Sequence, residues 1–431
     1  MKCAVVIHVG AGEELYALDA VDSVNTALAA GRGTFSDVVQ FTIEHDGDVV
    51  DEASALNEGV RRAAEAGCDW IFHMRARDLM YERAFENVAV ALAGHDAVWG
   101  SISMLAPDES TSERHPAQFS PITRIEEVLA NDPRITLASG HFVRTRAALA
   151  TPLSPQWGEG SEFDYFLRLW TNHPSVKIDA PICVSRDVPD SAARRSAIER
   201  VICNHCAALD FGAEFSYRGE RFRFAVENPF DLIHSTLLKG RFFEQTELEF
   251  IEHWVGRNAA IVEVGGYIGN HVVYYARFMA PESIIVIEPN PESVRLLKRN
   301  IESNAVRCAN LAHLGLGAAA APGNFALVTT GVSNHGATRL EAAPEGIAAM
   351  PLDQLVTGKV DFIKIDVEGM ELDVLAGAAR VIATWRPRIM IEVFRTQTGP
   401  FETWLATHRY CVARRFDNVF AVNYCIEPVD G

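Results

Sequence analysis

The feature that most constrains this chain is a glycine-rich turn at residues 265–269. An apolar run at residues 261–264 leads into Gly265 and Gly266, and Gly269 comes just before residues that can begin a helix. Three positions lacking a Cβ let the main chain turn sharply and approach a neighbour or a ligand closely. The pattern predicts a strand, a turn and a helix, the arrangement of a nucleotide-type cofactor site. Such a turn also serves where a helix simply packs close to a sheet, so its use depends on the next strand.

A second apolar run, residues 283–287, ends in Glu288-Pro289-Asn290-Pro291. It lies about twenty residues beyond the glycines, where a carboxylate accepts hydrogen bonds from both hydroxyls of a ribose. No phosphate-loop lysine accompanies the glycines, and their spacing differs from the dinucleotide fingerprint. A ribose-binding acid without a pyrophosphate site points to an adenosine cofactor such as S-adenosylmethionine.

With 431 residues the chain is long for one domain and comfortable for two. Its formal net charge of -18 argues against a nucleic-acid partner, because phosphate binding needs basic clusters and none is evident. No apolar run reaches the length that spans a bilayer. The amino-terminal stretch reads as a first strand, too short for a secretory leader, and the expected location is the cytoplasm. The 8 cysteines show no disulfide-framework spacing. Cys203-Asn204-His205-Cys206 offers half a zinc site, yet no second ligand pair is near and the segment reads as helix, so no resident metal is expected.

In the first half, residues 3–9, 38–43 and 69–73 read as strands, and residues 15–30 and 52–66 as helices stopped by Gly31 and Gly67. Strands alternating with helices predict a parallel sheet with helices on its faces and ligand-binding groups at the strand ends. Asp46-Gly47 after the second strand, Asn57-Glu58-Gly59 and Asp69-Trp70-Ile71-Phe72 resemble the nucleotide-sugar-binding part of family 2, GT-A-type glycosyltransferases. Residues 138–142 and 157–168, which include Glu162 and Asp164, resemble that family's acceptor side. The resemblance covers residues 1–190 and implies a GT-A-like domain that handles a sugar or a sugar nucleotide.

The resemblance breaks where the family carries an Asp-x-Asp that holds a divalent metal against the donor diphosphate. Here stand Arg75-Ala76-Arg77, followed by Asp78. Carboxylates supply hard oxygen ligands to such a cation, whereas guanidiniums repel it, so metal-dependent transfer through this motif is not expected. Two readings stay open. In one, Arg75 and Arg77 grip the diphosphate directly, and Glu162 or Asp164 takes the acceptor proton. In the other, transfer is lost, the domain binds a glycan or a partner, and the two acids serve only the start of a helix.

Residues 191–211 read as a helical connector and residues 212–431 as the second domain. Beyond an aromatic hairpin turning at Arg218-Gly219-Glu220, the pattern gives a helix at residues 291–300 and a strand at 311–316. A strong apolar strand at 360–365 ends in Asp366-Val367-Glu368-Gly369-Met370-Glu371, and a last buried strand at 388–393 contains Glu392. Lys239-Gly240-Arg241-Phe242-Phe243-Glu244, Glu263-Val264-Gly265 with Gly269-Asn270-His271, Glu288-Pro289-Asn290-Pro291, and Lys364-Ile365-Asp366-Val367-Glu368-Gly369 succeed one another in an order that resembles the FkbM family of S-adenosylmethionine-dependent methyltransferases. The resemblance implies a Rossmann-like class I methyltransferase fold, S-adenosylmethionine as cofactor, and a cofactor site at Glu263, Gly265, Gly266, Tyr267, Gly269, Asn270, Glu288 and Asn290. The family usually has Asp-x-Gly-Ala-Asn where this chain has Glu263-Val264-Gly265-Gly266-Tyr267, so the carboxylate moves by a methylene and Tyr267 narrows the methionine end.

Methyl transfer to a hydroxyl needs acceptor oxygen, carbon and sulfur in line, and a group that takes the hydroxyl proton. Asp366 and Glu368 are expected to orient the acceptor or act as base, with His335 and His271 competing because histidine titrates near neutral pH. Glu371 reads equally well as a first-turn helix acid and Glu392 as the partner of an arginine. The expected protein is an S-adenosylmethionine-dependent O-methyltransferase whose acceptor is a carbohydrate or glycoconjugate hydroxyl. The alternatives are a bifunctional glycosyltransferase and methyltransferase, and an inactive scaffold that binds a glycan or a protein.

Overall fold

The computed structural model describes residues 1–45, 49–105, 121–131, 133–186, 191–328 and 338–429. The chain divides into two compact α/β units, Met1–Asp210 with Glu227–Pro229, and Phe211–Val226 with Phe230–Gly431. No helix among the described residues is long and apolar enough to cross a membrane.

In the first unit the described strands are β1 (Lys2–Val9), β2 (Asp37–Glu44), β3 (Trp70–Arg75), β4 (Leu79–Met80), β5 (Ala97–Leu105), β6 (His141–Arg144) and β7 (Ser175–Arg186). They form one sheet in the order β2-β1-β3-β6-β5-β7-β4. β1 pairs in parallel with β2 and β3, as the alternation of strands and helices predicts. β6 runs antiparallel to β3 and β5, so the sheet is mixed rather than parallel throughout. That pairing sets Phe142 directly opposite Phe72 with ring centroids 4.7 Å apart, an aromatic cross-strand pair that stabilises the antiparallel register.

The helix Ala192–Ala208, expected as a connector, belongs to the first unit. Ser191 caps it by accepting a hydrogen bond from the Arg194 N–H at 3.0 Å. Ile198, Val201, Ile202 and Cys206 make a buried stripe along one face. Such a stripe must be covered, and it packs beside the helix Ser161–Asn172.

The second unit opens with β8 (Gly212–Tyr217) and β9 (Glu220–Ala225), the expected hairpin, whose turn residues Arg218 and Gly219 both have positive φ. Its other strands are β10 (Ala260–Val264), β11 (Ser283–Glu288), β12 (Ala309–Leu314), β13 (Gly317–Ala318), β14 (Gly323–Val328), β15 (Arg339–Ala342), β16 (Ile347–Met350), β17 (Phe362–Ile365), β18 (Arg388–Phe394), β19 (Tyr410–Asp417) and β20 (Ala421–Pro428). The main sheet has the order β12-β11-β10-β17-β18-β20-β19, and β13 to β16 make a small separate sheet. β12, β11, β10, β17 and β18 are mutually parallel, and β20 enters antiparallel.

Every residue of β10 and β17 is buried, as expected of parallel strands covered on both faces. Val262, Val264, Ile363, Ile365, Ile389 and Ile391 form the heart of this core. Burying each such side chain contributes about 1.5–3 kcal/mol relative to leaving it in water. From β10 the chain builds outward to β11 and β12, then returns to the other side of β10 as β17. A reversal of this kind opens a crevice at the carboxyl ends of the strands, where ligands of parallel sheets bind.

Candidate active site

A cavity of about 820 Å³ occupies that crevice. Its volume falls in the upper part of the range of small-molecule sites, about 300–1,000 Å³. Its wall runs from Glu288 at the end of β11 and Asn290 just after it, past Gly265 and Tyr267 beyond β10, to Asp366 and Glu368 beyond β17 and Glu392 in β18.

The glycine turn is built as the sequence predicts. The N–H groups of Gly265 and Gly266 both donate to the Ile287 carbonyl, at 3.0 and 3.2 Å, and lock the turn onto β11. A Cβ on Gly265 would lie 1.8 Å from the Asp366 carbonyl oxygen, and its φ is +84°. A Cβ on Gly266 would meet Val286 at 2.7 Å. Gly265 therefore lets two strand ends touch, and Gly266 lets the turn pack on the sheet. Gly269, with φ +85°, starts the helix Asn270–Tyr274.

Glu288 ends β11 with its carboxyl group in the cavity wall and only 6% exposed. One oxygen accepts the Tyr267 N–H at 2.7 Å and the other accepts the Asn290 N–H at 2.9 Å. A carboxylate has about four lone-pair sites, so each oxygen can accept again from the cavity side. Burial pushes this carboxyl up to about 7 despite those two N–H donors. Asn290 caps the helix Pro291–Ser303, accepting the Glu292 N–H at 3.0 Å. The Tyr267 hydroxyl donates to Asp231 at 3.1 Å, so the ring is held at the cavity wall.

Glu263, Gly266, Gly269, Asn270 and His271, expected at the cofactor or the acceptor, are not in the cavity wall. Asn270 spends its amide on the Phe243 main chain, accepting its N–H at 3.2 Å and donating to its carbonyl at 3.1 Å. His271 lies between two carboxylates, Nδ1 3.3 Å from Glu263 and Nε2 3.2 Å from Glu244. Burial and the Lys364 charge push its imidazole down, but the two carboxylates outweigh them and hold it above its ordinary value. Its ring nitrogens thus face Glu263 and Glu244, and the ring is not part of the cavity wall. Lys364, cross-strand from Glu263, completes the buried network with Nζ 4.0 Å from Glu263 and 2.9 Å from Asp366. His335 lies outside the described residues.

Asp366, Glu368 and Glu392 converge, with one oxygen of each within 4.8 Å of the others. Burial and the charges of Asp366 and Glu371 push Glu368 up to about 8. Burial, and then Asp366, Glu368 and Glu244, push Glu392 upward as well. Among the described residues no arginine pairs with Glu392. Glu371 turns away from this use: fully buried, it accepts the Gly369 N–H at 2.7 Å at the start of the helix Glu371–Gly377. Glu244, Tyr267 and Glu368 all line the cavity with positive φ, at 53°, 42° and 53°. Left-handed backbone at bulky residues is costly and tends to collect at functional sites. Sequence reading missed Glu244 and left Glu392 open; the one signal for Glu392 was a charge inside an otherwise apolar strand.

Sheet reversal, glycine turn, strand-end carboxylate and facing acids together define a Rossmann-like α/β domain. Residues 263–414, within the second unit, match the family model described as the methyltransferase FkbM domain. Solved structures similar to the chain include the methyltransferase FkbM from Methylobacillus flagellatus KT, at 20% identity and a TM-score of 0.29, the match covering 46% of this chain and 56% of that one. The chain thus spans little more than half the length of that relative. Another is M. jannaschii TYW2 in complex with AdoMet, 13% identical with a TM-score of 0.29, covering 51% of this chain and 87% of that one. A third is S. aureus TarS, 12% identical with a TM-score of 0.36, covering 48% of this chain and 40% of that one. No curated protein matches the chain.

In the first unit, Arg75 ends β3 and pairs through its guanidinium with Glu162 in the helix Ser161–Asn172. Arg77 pairs with Glu13 and lies 4.8 Å over the Tyr16 ring. Asp78 is buried, accepting from the Ser185 hydroxyl at 2.7 Å and the Arg75 N–H at 3.2 Å, and burial raises its carboxyl. Asp164 is buried between His205 at 3.0 Å and Arg168 at 2.8 Å. Burial pushes its carboxyl up, but those two partners outweigh it and hold it below the usual range. A cavity lined by Glu162, His73 and His141 measures only about 20 Å³, room for one water. Asp46 lies outside the described residues.

Proposed function

We propose that the second unit is an S-adenosylmethionine-dependent O-methyltransferase. The observation that carries this reading is Glu288: a strand-end carboxylate, fixed by two N–H groups, facing a cavity large enough for a nucleoside and an acceptor. Its free lone pairs suit the two hydroxyls of a ribose. Gly265, with no room for a Cβ, keeps the floor of the cavity bare main chain. Bound here, S-adenosylmethionine supplies an electrophilic methyl group.

The chain's own residues orient and deprotonate the acceptor. Asp366 is steadied by Lys364 at 2.9 Å, and Glu368 makes no ion pair among the described residues, so Glu368 is the better placed to take the hydroxyl proton. Its carboxyl, near 8, suits a base working around neutral pH. The acceptor we assign is a sugar hydroxyl of a glycan or glycoconjugate. Carboxylates that accept from hydroxyls support it, as does Phe420 at the cavity rim, 79% exposed and offering an apolar face to a sugar ring.

Calorimetric titration of the full chain with S-adenosylmethionine, beside Glu288→Ala, tests the reading. Micromolar binding weakened roughly 10- to 100-fold in the variant is expected for a lost charge-assisted contact. No binding by the folded wild-type protein, or equal binding by the variant, contradicts it.

For residues 1–190, within the first unit, we propose a GT-A-like domain that binds a sugar or glycan without transferring it. Arg75 and Arg77 are each already paired with a carboxylate, which leaves neither guanidinium uncommitted for a diphosphate and ties up Glu162 as a base.

A further inference from the structure

Three histidines of the first unit are buried on one face of its sheet. His73 in β3 lies directly opposite His141 in β6, with ring centroids 5.7 Å apart. His8 stands two residues beyond Val6, the parallel partner of His73 on β1, so its side chain emerges on the same face. None of the three is more than 4% exposed. Nε2 of His8 and both ring nitrogens of His73 and of His141 have no hydrogen-bond partner among the described residues, and neither has the Tyr165 hydroxyl. The cavity lined by His73, His141 and Tyr165, about 20 Å³, admits one water but not the hydration shell of a cation. On protonation both nitrogens of an imidazole become donors, and a buried cation without acceptors is costly.

The groups that face this row offer a positive charge little. Glu52, in the helix Val49–Glu65, lies 3.9 Å from His8 Nδ1, and the His45 ring 5.9 Å from that of His8. Arg75, on the same strand as His73, brings a like charge, and its own partners are Glu162 of the helix Ser161–Asn172 and Asp78. Trp99 of β5 stacks on His141 at 4.8 Å, and Lys177 of β7 stands in register with Trp99. We propose that His8, His73 and His141 make the first unit an acid-sensitive element, which opens in mild acid under conditions that leave the second unit folded.

Burial pushes His73 down to about 4, and His8 and His141 well below their ordinary 6.5. A base depressed in this way takes up its proton more readily in the unfolded chain. Its contribution to stability is whole above about pH 6.5 and is lost as the pH falls from there toward the folded value. Asp78 works the other way, because burial raises its carboxyl, but it is one group against three. In the second unit burial acts on acids, raising Glu288 to about 7 and Glu368 to about 8. A raised acid holds its proton more firmly in the folded chain, so a fall from about pH 8 to 5 strengthens that unit. The two units answer the same change in opposite directions.

Hydrogen exchange of the full chain, read peptide by peptide and corrected for the intrinsic rate at each pH, tests this. Between about pH 7 and 5 the opening equilibrium at residues 70–75 and 141–144 is expected to rise roughly 10³- to 10⁴-fold, about twentyfold for each histidine less the opposing effect of Asp78. At residues 260–264 and 362–365 no rise is expected. In His73→Gln with His141→Phe the rise in the first unit shrinks roughly a hundredfold or more. Should that variant not fold at neutral pH, His8→Asn, with a rise about twentyfold smaller, puts the same question. Exchange at residues 70–75 and 141–144 that does not respond to pH, a matching rise in the second unit, or a full rise in the variants overturns the proposal.

Discussion

Gly265 shows how much of the site rests on one missing methyl group. Its position would set a Cβ 1.8 Å from the Asp366 carbonyl, and its positive φ strains any other residue. Gly265→Ala is expected to cost roughly 2–4 kcal/mol and to weaken ligand binding at the same time. Gly256 has nearly the same φ, +85°, with nothing near its Cβ position, so Gly256→Ala carries the strain alone and should cost about 1 kcal/mol. Urea unfolding of the two variants measures the difference, and equal losses would contradict the close approach. Gly265 and Glu288 could be read from the sequence because a turn and a strand end fix where their groups point. Asn270 and His271 could not, because on a short helix only the packing of Phe243 and Glu244 decides which side chains turn inward.

At the scale of elements, the two units treat charge at strand ends in opposite ways. In the second unit, parallel register sets Glu263 beside Lys364 within two fully buried strands, and the pair supports Asp366 at the cavity. Removing one partner of such a buried pair leaves an uncompensated charge. In the first unit, β3 ends in Arg75, and the charge is closed off by Glu162. A panel of sugar nucleotides offered to the full chain should therefore yield no nucleoside diphosphate. Release that Arg75→Ala abolishes would restore the bifunctional reading. The arginines were legible in the sequence, but their partners were not, since Glu13 and Glu162 are brought in by folding from distant stretches.

At the scale of the molecule, the alternation of strands and helices gave two α/β units, and the glycine turn with Glu288 gave the location of the crevice. Antiparallel β6 and the membership of the helix Ala192–Ala208 depended on contacts between distant segments, Phe72 with Phe142 and the stripe at Val201 and Ile202. The acid cluster was half legible: Asp366 and Glu368 come directly after a strand, whereas Glu392 joins them only because β18 lies beside β17. The central claim is that the cavity at the sheet reversal holds an adenosine with its ribose at Glu288. A crystal structure of the full chain with S-adenosylhomocysteine tests it most directly. The account predicts both ribose hydroxyls on the Glu288 carboxylate and the remainder of the ligand passing over Gly265 within the same cavity. A ligand bound elsewhere, or with its ribose away from Glu288, would contradict it.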